Sequence, residues 1–197
     1  MDKNLIYSKL TTKKIGKNII LYDIIDSTQD EIKRKKDLQE GTVVISELQT
    51  KGKGTHGRVW YTDVFGKNIA FTFVLYPFID VNKLEGITIV IAKCIINTFK
   101  ILYNIDLQIK YPNDIVCNSK KIGGILTETS VLNGIVKKLY IGIGINILQE
   151  NFNENIQNIA SSIKKEFNIV CKREDIISTF FNFFEKEYLK IVREFNE

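Results

Sequence analysis

The chain is poor in several residue types, and each shortage argues against a class of function. It holds one histidine and three cysteines in 197 residues. Cys94, Cys117 and Cys171 are scattered, with neither a CxxC pair nor a His/Cys cluster. That argues against a Cys/His zinc site and reads instead as buried thiols in a reducing compartment, which makes the cytoplasm the expected location. Two prolines, at 77 and 112, and no Ser/Gly/Pro-rich stretch leave no mark of a linker, so one domain over 1–197 is expected. The longest apolar run, Ile87 to Ile96, is broken by Thr88 and Lys93 and is too short to span a bilayer. Met1 to Leu5 offers no signal-peptide core. No membrane partner is expected. Charge of one sign is also scarce: the net +5 is spread along the chain, allowing an anionic ligand without requiring nucleic acid. With 44% hydrophobic and 26% charged residues, the chain reads as an ordered globular protein.

What is present reads as strands around a central helix. Asn18–Ile25 predicts a buried strand, and Thr28-x-x-Glu31 a capping box opening a helix to about Lys36. Thr42–Gln49 and Asn68–Tyr76 predict strands, the second stopped by Pro77. Val81–Leu102 has helical spacing and is apolar around most of its circumference, so it belongs in the core. Strands follow at Leu107–Lys110, Lys121–Ser130 and Gly134–Ile145, the last two joined by an Asn133-Gly134 hairpin turn. Glu174–Glu194 closes the chain as a helix. Hairpins without regular βαβ alternation indicate an α+β fold, a mixed, largely antiparallel sheet packed with helices.

Gly52-Lys53-Gly54-Thr55-His56-Gly57-Arg58 follows a predicted strand. Its glycines allow close approach of backbone N–H groups to an anion, and Lys53 and Arg58 add charge. The spacing fits G-x-G-x-x-G, but Val59-Trp60-Tyr61-Thr62 opens no helix, so the dinucleotide reading fails. Arg58-Val59 replaces the Lys-[Ser/Thr] of a P-loop, and Val59 has no oxygen for magnesium. Three glycines and like charges predict a loop without one compact unliganded conformation. A merely solvated loop is the alternative. Trp60, the single tryptophan, is either a core aromatic or a ring for stacking on a base.

A second constellation lies further on. Lys110-Tyr111-Pro112-Asn113-Asp114 places two polar side chains after a proline that holds Tyr111 extended. An Asn118-Ser119 turn would fold the chain back and return Lys121, in Lys121-Ile122-Gly123-Gly124, towards Asp114. Tyr140-Ile-Gly142-Ile-Gly144-Ile-Asn146 is a strand with one face bare. Those glycines serve either ligand approach or close packing on a helix.

In order, Asp26-Ser27-Thr28-Gln29, the 49–60 loop, Lys110–Asp114, Lys121–Leu126, Gly142–Asn146 and Ala160-Ser161-Ser162-Ile163 resemble the biotin protein ligases, or biotin–[acetyl-CoA-carboxylase] ligases. The resemblance covers about residues 20 to 185 and implies an ATP-dependent ligase. Such an enzyme makes biotinyl-5′-AMP and transfers biotin to a lysine of a biotin carboxyl carrier protein. It implies that Ser27, Thr28 and Gln49 read the ureido ring, with Gly52, Lys53, Lys121, Gly123, Gly124, Gly142 and Gly144 also around biotin. It further implies a nucleotide site of Lys53, Thr55, His56, Arg58, Trp60, Asn113, Lys121 and Asn146. Lys121, Asp114 and Arg58 are the expected catalytic residues: Lys121 meets both reacting anions, Arg58 the phosphate, and Asp114 the incoming amine. ATP is the expected cosubstrate, with Mg²⁺ arriving on its phosphates and no metal held by the protein itself.

Three departures from the resemblance stand out. Thr55 replaces an arginine frequent in the family loop and lacks its bidentate contact. Gln29 stands where asparagine is common. The ends at Met1 and Glu197 are expected to leave room for neither a DNA-binding N-terminal domain nor a C-terminal β-barrel. A homodimer is allowed for. The alternatives are a lipoate–protein ligase and a non-catalytic biotin-binding module. A nucleic-acid reading of Lys33-Arg34-Lys35-Lys36 is weaker than a solvated helix face.

Overall fold

The computed structural model describes residues 1–62 and 64–193. In chain order its elements are α1 (Lys3–Lys9), β1 (Ile19–Ile25), α2 (Thr28–Arg34), β2 (Val43–Gln49), β3 (Ile69–Leu75), β4 (Ile79–Asp80) and α3 (Ile87–Tyr103). They continue with β5 (Gln108–Lys110), β6 (Asp114–Cys117), β7 (Lys120–Leu132), β8 (Ile135–Ile145), α4 (Ile163–Phe167) and α5 (Arg173–Arg193). One sheet runs β1-β2-β3-β8-β7-β6-β5, with β4 added to β8. Among the named strands of the described residues, β1 and β2 pair in parallel, joined through α2, and the other pairs are antiparallel. The fold is thus α+β with a mixed, largely antiparallel sheet.

The sheet has two unlike faces because β3 alternates. Ile69, Phe71, Phe73 and Leu75 enter the main core, where α5 brings Phe180, Phe181 and Phe184 against them with ring centroids 5.3–6.3 Å apart. Val74 faces the other way, joining Ile32 of α2 and Val44 in a smaller cluster. The stretch Val81–Tyr103 is long and apolar enough to cross a bilayer by composition. Here α3 buries one stripe, Ile87, Ile91, Ile95 and Phe99, in the core and leaves Ile101 exposed. Its burial is one-sided, not all round.

Local chemistry places most boundaries. Asn133 and Gly134 take positive φ, as a tight hairpin between twisted strands requires. The helix after β1 is capped one residue earlier than expected. Ser27 accepts from the Asp30 N–H, while Thr28 is the first helical residue and Glu31 turns away to the Tyr22 hydroxyl. No capping box forms, because the N-cap is Ser27 and the Thr28 hydroxyl and Glu31 carboxylate bond to Gln49 and Tyr22. Tyr111 enters the β5–β6 turn through a cis Tyr111–Pro112 bond. The short helices α1 and α4, capped by Asp2 and Ser162, were not foreseen. Glu194, the expected last residue of the closing helix, lies outside the described residues.

Candidate active site

The site is a cleft of about 660 Å³ on the α2 side of the sheet. Directly paired residues of an antiparallel ladder share a face. One row across five strands is Ala70, Gly144, Gly124, Asp114 and Lys110. The next is Thr72, Gly142 and Leu126. The small residues of the first row leave a trough ending at a carboxylate.

The trough is filled from within. A Cβ on Gly144 would stand 2.3 Å from Trp60 Cε2, and one on Gly124 3.2 Å from Trp60 Cζ3. A Cβ on Gly142 would stand 2.7 Å from Gln29 Oε1. These glycines therefore make room for Trp60 and Gln29. The indole Nε1–H is buried with no acceptor among the described residues. Gly123 is different: it belongs to the opposite face, where its Cβ position meets Ile115 and Ile145, so it does not line the cleft.

At one end the cleft is neutral. Gln49 Oε1 accepts from the Thr28 N–H at 2.8 Å, and from its hydroxyl at 3.0 Å. The same hydroxyl lies 2.9 Å from Thr72 Oγ1, which donates to Gln29 Oε1 at 3.0 Å. Gln29 Nε2 donates to Glu128, which also pairs with the Lys33 ammonium at 2.6 Å. Burial pushes the Glu128 carboxyl up, but these two donors outweigh it and hold it below its usual range. Thr72 and Gln29 were not among the expected site residues, although a lone threonine in the otherwise apolar β3 was a usable signal.

At the other end the cleft is cationic. Lys121 Nζ lies 2.6 Å from Asp114 Oδ1 and 5.6 Å from the centroid of the Trp60 ring. The Asn118-Ser119 turn, with φ of 49° and 63°, returns Lys121 to Asp114 as expected. Lys53 pairs with Asp30 at 2.6 Å. Arg58 donates to the Thr55 carbonyl at 3.2 Å and hydroxyl at 2.8 Å. Thr55 thus holds Arg58. In the structure the glycine loop folds into a small hairpin, with Trp60 N–H donating to the Gly52 carbonyl and Gly54 N–H to the Arg58 carbonyl. Gly52 serves this closure, since a Cβ there would stand 2.3 Å from the Trp60 carbonyl oxygen, and it does not line the cleft. His56, with φ of 56° at the exposed loop tip, does not line it either.

Asn113 and Asn146 line the cleft with committed amides. Asn113 Nδ2 donates to the Ile125 carbonyl at 3.1 Å and Asn146 Nδ2 to the Ser161 carbonyl at 3.0 Å, which leaves each Oδ1 as an acceptor. Ser27 completes the lining of the expected set. Of the basic run 33–36, Lys33, Arg34 and Lys35 are engaged by Glu128, Asp26 and Glu31.

A neutral hydrogen-bonding floor that passes into a cationic mouth fits a ligand with an uncharged polar head and an anionic tail. The biotin/lipoate A/B protein ligase family model matches residues 21–146, and the chain belongs to that family. It is 32% identical over 183 residues to the bifunctional ligase/repressor BirA of Bacillus subtilis, covering 91% of this chain and 56% of that protein. It is 28% identical over 190 residues to biotin–protein ligase 2 of Arabidopsis thaliana, covering 92% of this chain and 56% of that one. The chain spans about half the length of these curated relatives. Among solved structures, the biotin protein ligase from Aquifex aeolicus in complex with biotin and ATP superposes with a TM-score of 0.78 at 27% identity, over 90% of this chain and 73% of that one.

Proposed function

We propose that this chain makes biotinyl-5′-AMP from biotin and ATP and transfers the biotinyl group to a lysine of a biotin carboxyl carrier protein. The observation that carries this reading is the cleft's polarity. A cyclic urea presents one carbonyl acceptor and two N–H donors, which the Ser27, Thr28 and Gln49 end can match. Gln49 Nε2 has no partner among the described residues and is available to that carbonyl. The cationic end suits the carboxylate and the α-phosphate. The relative crystallised with biotin and ATP supports the same pair of substrates.

In the first step a biotin carboxylate oxygen attacks the α-phosphorus and pyrophosphate leaves. Lys121, Arg58 and Lys53 would offset the repulsion of two anions and stabilise the developing charge. Mg²⁺ would arrive on the ATP phosphates. Trp60 would offer its ring to the base, and Asn113 and Asn146 their free Oδ1 atoms to nucleotide N–H or O–H groups. In the second step a neutral lysine amine attacks the acyl carbon, AMP leaves, and the amine's proton goes to Asp114 or solvent. Lys121 holds Asp114 in the free protein, so anions that draw Lys121 away would release that carboxylate for the second step. Three buried free cysteines are consistent with a cytoplasmic enzyme.

ATP–pyrophosphate exchange tests this directly. Exchange that depends on biotin is expected. Exchange supported by lipoate and not biotin would assign the lipoate reading, whose apolar dithiolane suits the polar floor poorly. Binding of biotin without exchange would make this a binding module.

A further inference from the structure

Lys121 sits in an irregular part of the sheet. The β6–β7 ladder breaks register between Ile115 and Val116, and the two-residue turn at Asn118-Ser119 lies immediately before Lys120. Between that break and the turn the β6–β7 ladder keeps only the Val116↔Lys121 and Cys117↔Lys120 pairs.

A segment from beyond β8 supplies the missing support. Lys121 N–H donates to the Ile159 carbonyl at 2.8 Å, and the Lys121 carbonyl accepts from Ser161 N–H at 2.9 Å. This adds residues 159–161 as a one-residue parallel strap opposite Ala160. The strap and the turn converge on one side chain. Glu166 of α4 accepts from Ser161 Oγ at 2.5 Å through Oε1 and from Asn118 Nδ2 at 2.8 Å through Oε2. The Ser161 hydroxyl first, and the Asn118 amide with it, keep this carboxyl below its usual range, so it is ionised and a strong acceptor at neutral pH. Glu166 does not line the cleft.

We propose that Glu166 is a positioning residue: by tying the 118–119 turn to the 159–161 strap it fixes the Lys121 backbone on both sides, and so fixes Nζ against Asp114 and the reacting anions. The proposal rests on the ligase reading above. Small misplacements of a reacting group cost rate far more than they cost binding elsewhere in a site. The biotin-head residues Ser27 and Thr28, the cap and first residue of α2, and Gln49 of β2 are untouched by this tie.

The test is biotin-dependent pyrophosphate exchange by wild type, Glu166→Ala and Glu166→Gln. Alanine cuts both arms; kcat is expected to fall about tenfold to a hundredfold, with the KM for biotin within about twofold. Glutamine keeps an oxygen for Ser161 and, with the Asn118 amide turned over, a donor for its oxygen, so it is expected to restore most of kcat. Wild-type kcat in the alanine variant, equal losses in alanine and glutamine, or a biotin KM rising in step with the loss would overturn the proposal. Should the alanine variant not fold, Ser161→Ala, which cuts one arm only, is read by the same split of kcat and KM. An inactive wild type would overturn the ligase reading itself, and is distinguishable because every variant would then be equally silent.

Discussion

Lys121 and Asp114 form one ion pair, Nζ to Oδ1 at 2.6 Å, although seven positions and a left-handed turn separate them along the chain. Each neutralises the other at the place where the proposed reaction handles an anion and then an amine. Lys121→Ala should abolish adenylate formation by at least about a hundredfold, the scale of losing one fixed charge-stabilising donor. Because Lys121 and Asp114 are both partly exposed, the fold should survive. Exchange at the wild-type rate with an unchanged circular dichroism spectrum would contradict the assignment.

Trp60 lies where Gly144 leaves space, so Gly144→Ala should force the ring out. The Cβ would stand 2.3 Å from Cε2, and the cost in stability should be about 1–3 kcal/mol, as for other overpacked sites. Because Trp60 is the sole tryptophan, its emission reports the move directly. An unchanged emission spectrum together with unchanged ATP affinity would show that the ring does not depend on this glycine.

Thr55 holds Arg58 by its hydroxyl at 2.8 Å, so its effect on the nucleotide is indirect. Thr55→Val should raise the KM for ATP several-fold, in keeping with the loss of one exposed hydrogen bond, about 1 kcal/mol. Thr55→Arg should slow adenylate release instead, since a second guanidinium brings its own charge-assisted bonds. Identical release rates for wild type and both variants would mean that position 55 has no influence on the intermediate.

Glu47 and Arg173 meet across the molecule, with the Met1 amino group as a third partner. Burial pushes the Glu47 carboxyl up, but Arg173 and the amino group outweigh it and set it below its ordinary 4.5. A depressed carboxyl contributes stability above the unfolded value that is lost as pH falls through the folded one. Arg173→Ala should cost about 3–5 kcal/mol at neutral pH, the range for breaking a buried pair, and the difference from wild type should shrink as the pH is lowered below 4.5. Urea unfolding at several pH values measures it; a pH-independent difference would contradict the pairing.

Burial raises the Cys94 thiol to about 12 and the Cys171 thiol to about 11. Both should resist alkylation in the native state at neutral pH and react on unfolding. Rapid native labelling of Cys94 would show that its surroundings open.

Features set by local chemistry were legible in the sequence. The Asn133-Gly134 hairpin and the Asn118-Ser119 turn depend on residues that tolerate positive φ, and the second makes the return of Lys121 towards Asp114 legible. Features set by distant partners were not. Alternating glycines at 142 and 144 show that a face is bare, but not that Gln29 and Trp60 will fill it. Asn113 and Asn146 read as free ligand contacts, yet each spends its Nδ2 on a backbone carbonyl. The capping box failed for the same reason: Glu31 was engaged by Tyr22, from a strand whose position only the sheet determines.

The proposed reaction joins biotin to a protein lysine through an adenylate. The most direct measurement is the intact mass of a biotin carboxyl carrier domain incubated with this chain, biotin, ATP and Mg²⁺. A mass increase of one biotinyl group, absent without ATP and absent when the carrier's acceptor lysine is replaced, is the predicted result. An unchanged carrier mass while the same preparation binds biotin would contradict the account.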